Sequence, residues 1–529
     1  MPAPVIVIGL DAAEPTLLER WASEGQLPTF ARLERHGCVR SLANCLGTLP
    51  GAIWPEITTG ISCGKVPLYY HPRQLHTGEA RVRPVLAEEV EPEDYYWTLA
   101  SRVGRRVAVI DPVQSVPAPD FNGIQLFEWG LHDRTFKICS DPPELLDQLL
   151  SRYGNHPVRS CDLHGRKRSG YERLLDGLLQ GVALKTALLL DLLGRENWDL
   201  FVATFGETHC VGHQFWHFLD PHHQWHDPAA PANLRHGIRS VYQAIDKGIG
   251  DLIETAGSDA LVLVVASHGM GPYNGGPQLL PELLVRLGLD SSDGSGNSWL
   301  RRLQTKISHA PRMVQPALKR LAETDALKYI QGRSGCLLDP LESPSTRAVA
   351  LRNNRCGAIR LNLKGREPVG CVCPGYEAQS LIAELRKELF ALKDLASGEP
   401  IVAEVTTATE AFGPEPHPDV PDLMVVFRSD LGTLEACYSP RVGLVEVPIF
   451  HPNIPRSGDH TPESRLWTLG RGIPAGRRLP DANVLDIAPS VLRLLDVPLP
   501  PRLDGSPLAV FDLPVCGNRD LTRPQRFVQ

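Results

Sequence analysis

Histidines are crowded into two short stretches of this chain, GETHCVGHQFWHFLDPHHQWHDP at residues 206–228 and SGDHTPESRLWTLGRGIP at 457–474. His209 and His213 stand four residues apart, so a helix or tight loop turns both imidazoles to one face, a common way to hold a divalent metal ion. Alone, such a pair is as often a surface coincidence as a ligand pair. Asp11 closes the apolar run VIVIGL, His268 lies in ASHGMGP and His460 in GDHT, each at a strand end or glycine-flanked turn. Together with the pair they describe a metal centre. An acid that ends a buried strand calls for a cation, and a metal held by imidazoles is one. The other histidines of the first stretch, His217, His222, His223 and His226, read as exposed loop residues.

The elements that must position these groups follow from hydrophobic pattern. PVIVIGL reads as a buried parallel strand, followed by TLLERWASEGQLPTFARLERHG with helical spacing, a turn near Pro28 and a stop at Gly37. RRVAVIDP at 105–112, NWDLFVATFGE at 197–207 and DALVLVVASHGMGP at 259–272 repeat the strand, with helical stretches such as LLQGVALKTALLLDLLG between them. The fold class expected is α/β, a mainly parallel sheet covered by helices on both faces, with insertions. Ligands of such sheets bind outside the carboxyl ends of the strands, and those ends carry Asp11, Glu207 and the Ser267–His268 pair.

The organisation expected is a core over 1–275, an insertion or lid over 276–345, a mixed α/β segment or small subdomain over 346–450, and a return to the core over 451–529. The second part contains the polar stretch DSSDGSGNSW and a basic amphipathic helix region, RLQTKISHAPRMVQPALKRLAE, whose charges read as a solvated face. The net charge of −7, with both signs interspersed, leaves no basic footprint for nucleic acid or an anionic membrane. No apolar run reaches the length of a membrane span. The twelve cysteines contain no C-x-x-C pair and read mostly as small buried hydrophobes in a reducing compartment, so the expected location is the cytoplasm. A P-loop enzyme is excluded because no G-x-x-x-x-G-K-[ST] run occurs, and a formylglycine sulfatase because no C-x-P-x-R or S-x-P-x-R stretch occurs.

Five motifs in order resemble the alkaline phosphatase superfamily, in its type I phosphodiesterase and nucleotide pyrophosphatase branch: VIGLDA, TLPGAIWPEITTG, HCVGHQFWHFLDP, ASHGMGP and GDHTPES followed by GRGIP. LNLKGREP and DIAPSVLRLLDVPLPPRLDGSPL are similar to the same group. The resemblance implies a metal-dependent hydrolase of phosphodiesters or nucleotide pyrophosphates acting through a threonine nucleophile on a small-molecule substrate. Thr48 is the candidate nucleophile from TLP, with Thr58 and Thr59 as alternatives. One metal site would use Asp11, the nucleophile, Ser267 and His268, and the other His209, His213 and His460.

Two departures bear on that ligand set. The family's aspartate before His-Gly-Met-Gly is Ser267 here, and the aspartate of its D-x-x-G-H segment is His209. Loss of two carboxylates favours imidazole-friendly ions, zinc first and manganese or iron as alternatives, over magnesium. Glu207 is a candidate to restore one charge, and the site on Asp11 and His268 is expected to be weak, so that one or two ions are bound. The family's His-Gly after T-G is also missing from CGKVPLYYH, with His71 as its candidate substitute. Competing readings are a phosphoryl or sulfuryl transferase in glycan or secondary-metabolite synthesis, and a metal-poor member that only binds. Substrate selection falls to residues 66–190, where Arg73, Arg81, Arg83 and Trp129 read as surface residues, and to the segment after Tyr273.

Overall fold

The structure is a computed structural model. It describes residues 3–66, 74–75, 82–83, 85–130, 136–159, 161, 167–290, 341, 343–351, 353, 355–447 and 456–509. The basic helix region and the polar stretch of the expected insertion, His71, and the side chains of Arg73, Arg81 and Arg83 lie outside the described residues.

At the centre is a twisted sheet of ten strands. The opening strand Val5–Leu10 pairs in parallel with Leu200–Phe205 on one side and Leu261–Ala266 on the other. Val107–Ile110 and Gly123–Phe127 extend the parallel run outward from Leu200–Phe205. Beyond Leu261–Ala266 the strand Ser464–Leu469 enters antiparallel and is followed by Cys38–Ala43. The late strand therefore brings the C-terminal part of the chain back into the first sheet, beside the elements that carry Asp11 and His268.

Alternation within the opening strand builds both faces. Ile6, Ile8 and Leu10 enter one apolar core with the helices Arg168–Leu193 and Gly237–Ala256, while Val5 and Val7 enter the other with Ile53, Ile57 and the helix Ile487–Leu494. Burial on both faces explains why the central strands read as near-continuous runs of Val, Ile and Leu. Gly9 breaks the run because its Cα faces the Trp54 ring: a Cβ there would sit 2.6 Å from Trp54 Cη2.

A third core joins Leu279, Leu280, Leu283, Leu284 and Leu289 to the helix Tyr376–Phe390 and to an antiparallel sheet of Ala348–Leu351, Gly357–Leu361, Leu423–Phe427 and Val402–Thr407. Residues 276–290 thus pack with the 346–450 segment, since the apolar face of Leu280–Arg286 has its partners there.

Candidate active site

The histidine helix Glu207–Leu219 begins directly after the strand Leu200–Phe205, at its carboxyl end. Its first turn is fastened by Thr208, whose hydroxyl donates to the Asp11 carbonyl at 2.5 Å. Gly212 lets the helix approach the strand Gly269–Pro272, since a Cβ there would stand 2.8 Å from Met270 Cγ. One turn apart, His209 and His213 then share a face: their rings are 4.3 Å apart and their Nε2 atoms 3.1 Å apart.

His460 arrives from the other end of the sequence. Gly458–Thr461 pairs antiparallel with Gly269–Pro272, Met270 opposite His460, so the ladder sets His460 next to His268 with ring centroids 4.4 Å apart. The His460 ring is 4.8 Å from that of His213 and 5.1 Å from that of His209. A nitrogen from each of His209, His213 and His460 can be chosen so that all three lie within 4.8 Å of one another. Three buried imidazoles from two distant segments meet at one point.

Their chemistry suits a divalent ion. His213 Nδ1 lies 2.7 Å from the Gly458 carbonyl, an acceptor only, so that nitrogen carries the proton and Nε2 is left with its lone pair. His460 Nε2 and His268 Nε2 are buried with no hydrogen-bond partner among the described residues. Burial, reinforced by His268, His213 and two arginines, holds His460 well below the ordinary imidazole value, and burial alone takes His268 down to about 3. Both rings are neutral at pH 7, the state that ligates metal. Ligands on a tetrahedral zinc, at roughly 2.0–2.1 Å, would be about 3.3 Å apart, close to the His209–His213 nitrogen separation.

Asp11 follows directly on the opening strand, and its carboxylate has a partner of its own. Its Oδ1 accepts the indole N–H of Trp54 at 2.8 Å. Ser267 Oγ is 3.0 Å from His268 Nδ1 and donates to the Leu10 carbonyl at 3.3 Å, so it orients His268 in the manner of an outer-sphere hydroxyl. Asp11, Ser267 and His268 are all buried.

Thr48 occupies the turn that leads into the short helices Pro50–Ala52 and Ile53–Thr59. Its hydroxyl donates to the Cys45 carbonyl at 3.1 Å, and its carbonyl accepts from Asn353 Nδ2 at 2.6 Å. Asn44 Nδ2 reaches the carbonyls of Ser267 and Pro462, which fixes the same turn to the His268 and His460 segments. Thr58 and Thr59 lie instead in the last turn of Ile53–Thr59, both hydroxyls bonded back to the Pro55 carbonyl. They act as local helix-end bonds, at the end of the helix opposite Thr48.

Several expectations are corrected. Glu207 does not join the imidazoles: its Oε1 is 3.1 Å from His156 Nε2 and 3.8 Å from Lys185 Nζ, and Lys185 in turn lies 3.1 Å from Asp111. As the first residue of the helix, it projects toward Arg168–Leu193 rather than along the face of His209 and His213. His217 and His223 are buried, not exposed: His217 sits in the last turn of the histidine helix and His223 Nε2 meets the Ser457 carbonyl at 3.0 Å. His226 is half-buried, its Nδ1 3.0 Å from the His217 carbonyl, and only His222 of the four is exposed. Trp129 is fully buried, donating to the Gly154 carbonyl at 3.0 Å. For His223, His226 and Trp129 a backbone carbonyl satisfies the ring N–H, which permits burial of a residue type that sequence alone leaves outside.

Other site residues carried no sequence signal. Arg355 Nη1 donates to the His460 carbonyl at 2.8 Å, and Arg456 Nη1 is 3.5 Å from His213 Nε2. Buried Glu14 accepts from the Met270 amide at 2.9 Å and from the Thr461 hydroxyl at 3.0 Å, and so clamps the strands bearing His268 and His460 to the end of the opening strand. Only Trp54, inside the quoted TLPGAIW motif, was visible beforehand.

The sheet order, the helices on both faces and the site at the carboxyl ends of the strands define an alkaline phosphatase-like α/β fold. A solved variant of the alkaline phosphatase PafA shares that fold at a TM-score of 0.51 and 13% identity, over 96% of this chain and 99% of that one. Murine ectonucleotide pyrophosphatase/phosphodiesterase 5 aligns at a TM-score of 0.46 and 11% identity, over 94% of this chain and 96% of that one. No curated protein sequence matches. The chain belongs to the type I phosphodiesterase/nucleotide pyrophosphatase family, whose sequence profile matches residues 5–286. It is accordingly a phosphoester hydrolase of the alkaline phosphatase superfamily, in a family of divalent-metal enzymes.

Proposed function

We propose that this protein hydrolyses phosphodiesters or nucleotide pyrophosphates through Thr48, with one divalent ion, zinc by preference, held by His209, His213 and His460. The observation that carries the reading is the meeting of those three buried imidazoles within 4.8 Å of one another. A metal there would supply Lewis-acid stabilisation of the charge that builds on the phosphoryl oxygens. The two positions where the family has carboxylates and this chain has His209 and Ser267 favour a single tight site with an imidazole-rich donor set.

The chain's own groups account for the remaining work. Arg355 and Arg456 place positive charge next to His460 and His213 and draw an anionic ester to that edge. The Thr48 turn is held at both ends by Asn44 and Asn353, which fixes the hydroxyl's approach to phosphorus. As the Thr48 oxygen bonds to phosphorus, its proton passes to solvent and the ester oxygen departs with the bonding pair. Water then attacks the phosphothreonine, breaking the threonine–phosphorus bond and releasing phosphate monoester. Asp11, held by Trp54, offsets cationic charge at the rear of the site.

The test is turnover of a bis-aryl phosphodiester by protein of measured metal content. Wild type is expected to turn over with close to one tightly held ion at the histidine centre, and Thr48→Ala to keep that ion and lose turnover. A metal-loaded, folded protein inert toward a broad ester panel would overturn the reading in favour of a binding-only member. Products formed only when an alcohol acceptor is supplied would convert it to transfer.

A further inference from the structure

A second set of metal-ligating side chains lies outside the histidine centre. Cys45, Glu56 and Cys63 are 9%, 4% and 1% exposed, and one ligand atom from each lies within 4.8 Å of the other two. Cys45 is in the turn that ends at Thr48, Glu56 is in the helix Ile53–Thr59, and Cys63 is in the loop that follows. The Cys63 amide donates to Glu56 Oε1 at 3.0 Å, and Cys45 Sγ is 3.2 Å from the Leu49 carbonyl. Burial raises the Glu56 carboxyl and the Cys63 thiol above their ordinary values.

The unusual member is Glu56. A carboxylate this deeply buried costs several kcal/mol unless a cation answers it. The charged side chain acting on it is Asp504, a second carboxylate, and Lys65, the cation of the same loop, is bonded to Asp504. Two thiols and an acid with no cation paired to them among the described residues form a donor set, and the thiols make it softer than the imidazole set nearby.

We propose that Cys45, Glu56 and Cys63 bind a zinc-class divalent ion, a structural site distinct from the histidine centre, which locks the Thr48 turn to the helix behind it. Each thiol gives its proton to solvent as its sulfur–metal bond forms, and two thiolates with one carboxylate then exceed the charge of the ion by a single negative charge. Metal–sulfur bonds of about 2.3 Å and metal–oxygen bonds of about 2.0–2.2 Å give donor separations of roughly 3.5–3.8 Å in a tetrahedron. In the structure the three ligand atoms lie within 4.8 Å of one another, and the Leu49 carbonyl, 3.2 Å from Cys45 Sγ, is a further oxygen beside them.

Cobalt titration of the full-length, reduced, chelator-stripped protein tests this. Thiolate bound to cobalt gives a sulfur-to-metal charge-transfer band that imidazole ligands cannot give, so the readout is independent of phosphoesterase activity and of the histidine centre. The band is expected in wild type and in His213→Ala, and absent in Cys63→Ser. Glu56→Gln keeps both thiols and is expected to weaken cobalt binding at least about tenfold, as loss of even an outer-shell partner does; this guards against misfolding of the cysteine variant. A folded, reduced wild type with no such band would overturn the proposal and leave a neutral trio. Peptide mapping that finds Cys45 disulfide-bonded to Cys63 in freshly isolated protein would overturn it equally.

Discussion

Replacing Lys185 with Met tests how the histidine helix is anchored. Lys185 is fully buried and answers Asp111 at 3.1 Å and Glu207 at 3.8 Å, with the Thr204 carbonyl at 3.0 Å. Burial by itself would lower the Lys185 value, but Glu207 and Asp111 outweigh it and hold it above the ordinary lysine range. Burial likewise would raise Glu207, but Lys185 and His156 prevail and hold it below the usual carboxylate range. Removing one partner of a buried pair costs about 3–5 kcal/mol. Asp111 keeps the amides of Trp129 and Gly130, at 2.7 and 2.8 Å, whereas among the described residues Glu207 keeps His156 and its own amide. The cheapest escape is protonation of Glu207, which at pH 7 costs about 3.5 kcal/mol against an unperturbed glutamate.

That escape sets the sign of a pH dependence. In Lys185→Met the folded-state value of Glu207 rises above the unfolded one, so the folded state binds the extra proton and stability falls as pH rises between the two values. In wild type Glu207 is depressed, so its contribution is intact above the unfolded value and lost as pH falls through the folded one. The deficit of the variant should therefore grow by about 1.4 kcal/mol per pH unit from pH 5 to 7. Denaturant unfolding of both proteins at pH 5.5 and 7 measures it. Adding Glu207→Gln should flatten the pH dependence. A deficit under about 1 kcal/mol at pH 7, or one independent of pH, would refute the assignment of Lys185 as the cation for both carboxylates.

Thr48→Ala should lower kcat by about a thousandfold or more at unchanged metal content, while Thr58→Ala and Thr59→Ala, whose hydroxyls make local bonds to the Pro55 carbonyl and, for Thr59, from the Ile61 amide, stay within a few-fold of wild type; ester turnover separates the three. Ser267→Asp restores the family's carboxylate next to His268 and should raise the tightly bound histidine-site metal by one ion per chain, read by elemental analysis in a Cys63→Ser background. Stripping metal from wild type should lower its melting temperature, and readdition at a hundred times Kd should return about 2.7 kcal/mol, with no return in His213→Ala beyond that of the cysteine site. Gly9→Ala would drive its Cβ into Trp54, 2.6 Å away, and break the Trp54–Asp11 bond; reduced stability together with weakened metal affinity is the outcome expected from calorimetric titration.

What the sequence made legible is what local pattern can carry. The strands ending at Leu10, Phe205 and Ala266 were visible because burial on both faces leaves unbroken aliphatic runs. His209 and His213 were visible because helical pitch converts a spacing of four into a shared face. Glu207 misled for the same reason: proximity in sequence suggested proximity at the metal, yet two residues along a helix point about 200° apart. Its real partners, Lys185 and His156, are set by the packing of another helix and leave no local trace. Arg355, Arg456 and Glu14 were missed on similar grounds, each reaching the site through a contact more than a hundred residues distant in sequence.

The replaced carboxylates explain why so much of the site's stability comes from elsewhere. In a centre with several acids, the metal's charge itself holds the strand ends together. Here burial and neighbouring cations hold His460 below the ordinary imidazole value, and the Asp11 carboxylate accepts from Trp54. The geometry is instead fixed by hydrogen bonds within the protein: Thr208 to the Asp11 carbonyl, His213 to the Gly458 carbonyl, Arg355 to the His460 carbonyl, and Glu14 to the Met270 amide and the Thr461 hydroxyl. None of these bonds involves an ion, so they gather the imidazoles beforehand and reduce the entropy that metal binding would have to supply. An ion held by His209, His213 and His460, as proposed, would keep more of its positive charge for the substrate than one whose charge carboxylate ligands had cancelled. The loss of anionic ligands at 209 and 267 is thus compatible with phosphoester chemistry, provided that one site is rigid, and the bonds just named make it so.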